Sequence, residues 1–204
     1  MAKKKTNCSV SKSNTSEQLI DGEHYFLDAT DRAIQRPKNK EEQEDKYSGK
    51  QHSHTIKNSC VSNEKSEILY LGYTYSGRVH DKKMVDEELI KFPEGSFLWK
   101  DLGYQGYLPD NVHCFEPYKK PRNGELNKIQ KQENQLIASV RIVVEHAIGG
   151  LKKCRIIKEI IRIYNTDIRD RVVETCAALH NFRLSCRNGY KVNDLLLQQD
   201  NSFC

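Results

Sequence analysis

The order in which strand-like and helix-like runs follow one another confines what this chain can fold into. His24–Ala29 suits a short buried strand. Gln51–Ser62 and Glu67–Tyr75 look like two more, with Asn63-Glu64-Lys65-Ser66 as the hairpin connection between them. Ile34-Gln-Arg-Pro37 turns into Lys38–Gly49, a run of mixed charge with no apolar face that reads as an exposed loop, with a helical turn as the alternative. His80–Phe92 carries Met84, Val85, Leu89 and Ile90 at helical spacing, and Pro93 lies just beyond as a stop. Ser96–Lys100 and Val112–Glu116 are the next strands. The longest helix starts near Leu126 or Lys128 and runs to Gly149, with Leu136, Val140, Val143 and Ala147 as its apolar stripe. A strand or irregular segment falls in Arg155–Tyr164. A last amphipathic helix spans Asp167–Cys186, with Ile168, Val172, Cys176, Leu179 and Phe182 inward. Three strands, a helix, two strands and a long helix describe an α/β chain with a mixed sheet and flanking helices.

At 204 residues the chain suits one domain with tails. Residues 1–20 are polar and read as a disordered tail, 21–187 as the folded domain, and 188–204 as a weakly ordered C-terminal tail. Charged residues make up 30% of the chain against 37% hydrophobic, so long solvated segments surround a modest core. The net charge of +5 is a mild bias towards polyanions. Seven cysteines contain no Cys-x-x-Cys pair, which argues against a zinc knuckle. Their odd number and the lack of a secretory signal argue for reduced thiols in a cytosolic protein. No apolar run reaches the length of a membrane span.

Three acids stand in settings that metal-dependent nuclease chemistry uses. Asp28 ends the strand-like run His24-Tyr-Phe-Leu-Asp28. Asp101 ends Gly95–Asp101 and precedes a glycine turn. Glu145 sits inside the long helix, four residues after Arg141, so the two can pair or face a common site. Carboxylates at two strand ends and on one helix can converge, and three of them can hold two divalent cations. Spacing alone does not carry this, because the chain has 28 acidic residues. Each acid by itself reads as well as a turn residue or half of a surface ion pair. Asp31 competes with Asp28 but falls in the turn beyond its strand, and Asp81 reads as a helix N-cap. His80 and His146 flank acidic positions, where they orient water or phosphate or serve the fold.

Several motifs occur together: Leu27-Asp-Ala-Thr-Asp-Arg-Ala-Ile-Gln-Arg-Pro-Lys38, Lys46-Tyr-Ser-Gly-Lys50 with His54-Thr-Ile-Lys-Asn58, and Gly77-Arg-Val-His-Asp-Lys-Lys83. Asp101-Leu-Gly-Tyr-Gln-Gly-Tyr107, Val144-Glu-His-Ala-Ile-Gly-Gly-Leu-Lys152 and Leu179-His-Asn-Phe-Arg183 complete the set. In this order they closely resemble the catalytic domain of insertion-sequence transposases with a DDE active site, a group related to harbinger-type transposases. The resemblance covers Asp28–Leu184. It implies a ribonuclease H-like fold and a transposase that cleaves and joins DNA phosphodiesters at transposon ends. It also implies Asp28, Asp101 and Glu145 as the catalytic acids, holding two Mg²⁺ (or Mn²⁺) ions with Asp28 bridging both. Mg²⁺ suits carboxylates because it prefers hard oxygen ligands and keeps water positions open.

DNA, as transposon ends and target, is the implied partner, and cutting paired ends implies at least a homodimer. The implied place is the bacterial cytosol, at the nucleoid. Lys119, Lys120, Arg122, Lys152, Lys153 and Arg155 are the candidates for DNA-backbone contact, with a solvated face as the alternative. Gly103 and Gly106 permit a tight turn near Asp101. Tyr104 and Tyr107 read either as stacking partners for an unpaired base or as packing residues. Full-length members of the group carry a helix-turn-helix region upstream of the first catalytic Asp, whereas only 27 polar residues precede Asp28. Either a separately encoded helix-turn-helix partner supplies it, or this copy is a truncated, catalytically silent remnant that binds DNA or inhibits a transposase.

Overall fold

The computed structural model describes Leu19 and residues 23–187; the expected tails lie outside this range, apart from Leu19. The central strand is β1 (His24–Ala33), which pairs antiparallel with β3 (Ser53–Asn63) and parallel with β6 (Ser96–Lys100). Parallel β7 (Val112–Phe115) closes the far edge beside β6. On its other side β3 pairs with three short strands, β2 (Tyr47–Ser48), β4 (Ile68–Leu71) and β5 (Tyr75–Ser76). The result is a seven-stranded mixed sheet with β1 at its centre. The helices are α1 (Lys40–Lys46), α2 (Asp81–Glu88), α3 (Lys128–Leu151), α4 (Arg155–Lys158) and α5 (Thr166–Arg187). None of them is long and apolar enough to cross a membrane.

Alternation along the strands sends two sets of side chains to opposite faces of the sheet. Phe26, Cys60 and Trp99 join Ile137, Val144, Ala147, Ile148 and Leu151 of α3 and Val173 and Ala177 of α5 in one core. Tyr25, Leu27, Val61 and Leu98 face the other way and pack with Val85 of α2, Tyr104 and Tyr107. The mixed α/β architecture expected from the sequence is what the chain adopts.

Several element boundaries differ from the sequence reading, each for a local reason. Strand β1 does not stop near Asp28 but continues to Ala33, because its polar residues find partners. Arg32 is fully buried, and its guanidinium donates to Asn58 Oδ1 (2.6 Å), Thr74 Oγ1 (2.9 Å) and the carbonyl of Arg169 (3.1 Å). Burial lowers the Arg32 pKa to about 10, against the pull of Asp170. The run Lys38–Gly49, read as an exposed loop with a helical turn as the alternative, contains α1. Asn39 caps it by accepting from Glu41 N at 2.9 Å, and none of its residues is buried, so an apolar period could not reveal it. Glu67–Tyr75 is split into β4 and β5 at Gly72, where a β-carbon would collide with Ser59 and Glu88. Helix α2 stops at Glu88 because Leu89 turns left-handed at φ 48°, leaving Leu89 exposed and Ile90 buried.

The expected apolar stripes of the two long helices are met in part: Ala147 on α3 and Cys176 on α5 are buried, and Val140, Val143 and Val172 pack against the core. Leu136 on α3 and Ile168, Leu179 and Phe182 on α5 are substantially exposed, whereas Ile137, Val144, Val173 and Ala177 are buried. The packed face of α5 carries polar residues that hide its period. His180 Nε2 meets the Ser66 carbonyl at 2.8 Å, and Asn181 bonds both the N–H and the carbonyl of Ile68 (2.8 and 2.7 Å). Arg155–Tyr164 holds the short α4 and then a lone parallel bridge between Ile161 and Ile34.

Candidate active site

The parallel pairing of β1 with β6 ends at the rung Leu27 with Lys100. One residue further, Asp28 and Asp101 stand side by side at the point where the two chains part. Asp28 therefore lies inside β1, fixed by β3 on one side (its register partner is Cys60) and by the end of β6 on the other. Its Oδ1 accepts from the N–H of Ala29 at 2.8 Å. Asp101 leaves its strand and caps the 3-10 helix Leu102–Tyr104, accepting from Leu102 N at 2.8 Å.

A single cation sits against both carboxylates. Arg141 of α3 places Nη1 3.1 Å from Asp101 Oδ1 and Nη2 3.6 Å from Asp28 Oδ2. Arg141 and Asp28 are mostly buried, Asp101 less so. Burial pushes the Asp28 carboxyl above the ordinary aspartate value. The Ala29 N–H and Arg141 pull it down, while Asp101 and Asp81 push it up. The space both acids face is thus one that stabilises positive charge, and its donors are hard carboxylate oxygens of the kind Mg²⁺ or Mn²⁺ takes.

Glu145 does not join this cluster. It lies one turn beyond Arg141 on α3, about 6 Å of helix rise, and is exposed. Among the described residues, no three His, Cys, Asp or Glu side chains gather closely enough to hold a metal ion. The two strand acids are brought together, and the helix acid stands off.

The turn after Asp101 is held from below. Lys100 is fully buried and pairs with Glu116 at 2.9 Å. Its ammonium also donates to the carbonyls of Tyr104 (3.4 Å) and Tyr107. Tyr104 and Tyr107 are themselves buried, so they are packing residues and not platforms for a base. Gly106 sits at φ +82°, where glycine is favoured, and a β-carbon on Gly103 would make a tight 3.1 Å contact with Asp81 Oδ2. Asp81 is not an N-cap. His80 holds that position, and Asp81, in the first turn, pairs with Lys57 at 2.9 Å. Asp31 belongs to β1 and not to a turn, but alternation turns it to the face opposite Asp28. Sequence reasoning missed the roles of Lys100 and Lys57. The available signal was a lysine in phase with the buried Leu98 of β6.

The basic candidates form two groups at the two ends of α3, about 36 Å apart along its axis. Lys119, Lys120 and Arg122 are exposed in the connection from β7 to α3. Lys152 and Lys153 follow the C-terminus of α3. Arg155 is exposed but is bound at 2.6 Å to Glu159, which reduces its availability to phosphate.

The chain belongs to the DDE superfamily endonuclease family, whose model matches residues 27–181. Asp28, Asp101 and Glu145 all fall inside that span. It is also similar to a probable transposase for insertion sequence element IS702 from Microchaete diplosiphon, 38% identical over 127 residues. That stretch is 62% of this chain and 45% of the relative, so the chain spans about half the length of the curated relative it matches. No solved structure matches. The resemblance to DDE insertion-sequence transposases expected from the motifs is therefore met.

Proposed function

We propose that this chain is the catalytic domain of a transposase that cleaves and joins DNA phosphodiester bonds at transposon ends, using Asp28, Asp101 and Glu145 and two divalent cations. The observation that carries the reading is the convergence of Asp28 and Asp101 on one cation, within the span that defines the family. A ribonuclease H-like fold is supported by the strand order, with antiparallel β3 and the short strands paired to it on one side of β1 and the two parallel strands β6 and β7 on the other. Mg²⁺ or Mn²⁺ ions bound there supply Lewis acidity towards a phosphodiester and its attacking oxygen. Asp28, at the centre of the sheet, and Asp101, fixed by its capped turn, hold the charge in place. Glu145 completes the set by a side-chain swing or a small rotation of α3. Arg141, released from the carboxylates, remains as a cation beside the anionic substrate. Lys119, Lys120, Arg122, Lys152 and Lys153 bind DNA backbone, with Arg155 joining them when it leaves Glu159. The partners are transposon-end and target DNA, a second copy of the chain and a helix-turn-helix module. The place is the bacterial cytosol at the nucleoid.

A second reading, a catalytically silent remnant that binds DNA or inhibits a transposase, is favoured by the exposed, detached position of Glu145. Nicking of supercoiled plasmid with Mg²⁺ or Mn²⁺ separates the two. The first reading requires metal-dependent nicking that falls ~100-fold or more in Asp101→Asn. Nicking by wild type and variant alike removes the assigned site. A folded, DNA-binding chain that never nicks supports the second reading.

A further inference from the structure

A groove of about 680 Å³ opens between the segment leaving β7 and the N-terminal half of α3. Trp99 and Phe115 line it as a stacked pair, ring centroids 4.3 Å apart. Tyr118 and Leu136 line it too, and unlike Trp99 they are largely exposed, at 46% and 59%. Gln105 and Gln132 contribute amides. The segment carrying Tyr118 is fixed, because its N–H donates to Asn134 Oδ1 at 2.7 Å and its carbonyl accepts from Asn134 Nδ2 at 3.0 Å.

Its neighbourhood is basic. Lys119 lines the groove and Lys120 and Arg122 follow, none of them in a salt bridge among the described residues. Glu116, which also lines it, is neutralised by Lys100 at 2.9 Å. Glu133 remains, interacting with the Tyr118 hydroxyl. Three cations beside an aromatic, amide-bearing groove favour a phosphate-bearing occupant with a flat ring over an apolar peptide.

The groove adjoins the paired carboxylates. Trp99 and Asp101 are two residues apart at the end of β6, which puts them on the same face. Ile137 of the groove and Arg141 are one turn apart on α3, about 6 Å of rise. That is one to two nucleotides at the roughly 3.4 Å rise per nucleotide of a DNA strand. Gln105 belongs to the turn that follows Asp101.

We propose that this groove receives an unpaired nucleobase of the DNA strand, one or two nucleotides from the bond that Asp28 and Asp101 would cut. The assignment rests on the reading of the chain as a DNA-cleaving domain. Tyr118 supplies the stacking face, the Gln105 and Gln132 amides bond the base edge, and Lys119 meets the flanking phosphate. An extruded base held this way fixes the strand against the carboxylates, and a base in a mismatch or bulge enters at the lowest cost.

The test uses the full chain in EDTA, so that binding is read without cutting. The probes are a duplex oligonucleotide with 2-aminopurine in a one-base bulge and the same duplex fully paired. We expect the bulged duplex to bind about tenfold more tightly, with the fluorescence of the bulged base quenched on binding. Tyr118→Phe should keep that preference, and Tyr118→Ala should lose it while binding the paired duplex as wild type does. Equal affinity of wild type for the two duplexes overturns the groove assignment alone. So does an equal loss on both in Tyr118→Ala, which would leave the groove to a protein segment or to the fold. Failure to bind either DNA overturns the functional reading with it.

Discussion

Arg141 and Asp101 meet at 3.1 Å across the gap between α3 and the end of β6, and the same guanidinium reaches Asp28 at 3.6 Å. Three elements far apart in the chain are joined by one charge. With that charge removed, two neighbouring carboxylates repel each other until another cation arrives. Arg141→Met should lower stability in EDTA by about 1–2 kcal/mol, the value for a partly exposed charge network. Mg²⁺ should restore more stability to the variant than it adds to wild type. Thermal unfolding with and without Mg²⁺ measures both. Equal metal responses in the two proteins would mean that Arg141 and the metal do not share a site.

Lys100 carries the turn that aims Asp101. Lys100→Met removes the buried partner of Glu116 and the donor to two turn carbonyls, which should cost about 3 kcal/mol. Urea unfolding reads that cost. Amide hydrogen exchange should rise first in residues 102–107. Uniform acceleration over the whole sheet would instead point to global destabilisation.

Two adjacent glycines of α3 should respond in opposite directions. Around Gly149 there is open space, so Gly149→Ala should stabilise the helix by about 0.5–1 kcal/mol. At Gly150 a β-carbon would collide with the His180 ring, so Gly150→Ala should destabilise by about 1–3 kcal/mol. Paired denaturation curves decide this, and equal effects would remove the contact between α3 and α5 as the reason for Gly150.

Glu88 makes stability depend on pH. It is buried beneath β3, where it accepts from Ser59 Oγ and from Tyr73 N at 3.0 Å, and burial raises its pKa from 4.5 to about 7. The native state then binds more protons than the unfolded state between these two values. Stability should fall as pH rises through about 4.5–7 and stay lower above it, by roughly 3 kcal/mol in all. Glu88→Gln should flatten that part of the profile. An unchanged slope in the variant would assign the pH dependence to another group.

The succession of strands and helices along the chain was legible because turn residues such as Pro93 and Gly95 bound short apolar runs such as Phe97-Leu-Trp99, and Asp101 falls just past the end of β6 as its sequence setting suggested. The motif resemblance then identified which acids to watch. The faces of α3 and α5 were legible only in part: Ala147 and Cys176 are buried as expected, but polar residues such as His180 and Asn181 occupy packed positions while Leu136 and Phe182 lie out in solvent. An apolar period cannot register a helix packed through hydrogen bonds. The extension of β1 past Asp28 was hidden in the same way, since Arg32 looks like a surface residue until its buried partners are known. Spacing suggested that Arg141 pairs with Glu145 or shares a site with it; the structure gives Arg141 to the two aspartates across the sheet.

Titration of the protein with Mn²⁺, followed by the electron paramagnetic resonance signal of the free ion, addresses the central claim directly. The account requires wild type to take up Mn²⁺ and Asp28→Asn and Asp101→Asn to lose that uptake while remaining folded. Glu145→Gln should weaken uptake of part of the bound metal. Undiminished Mn²⁺ uptake by the folded Asp28→Asn and Asp101→Asn variants would contradict the assignment of these carboxylates as the metal site.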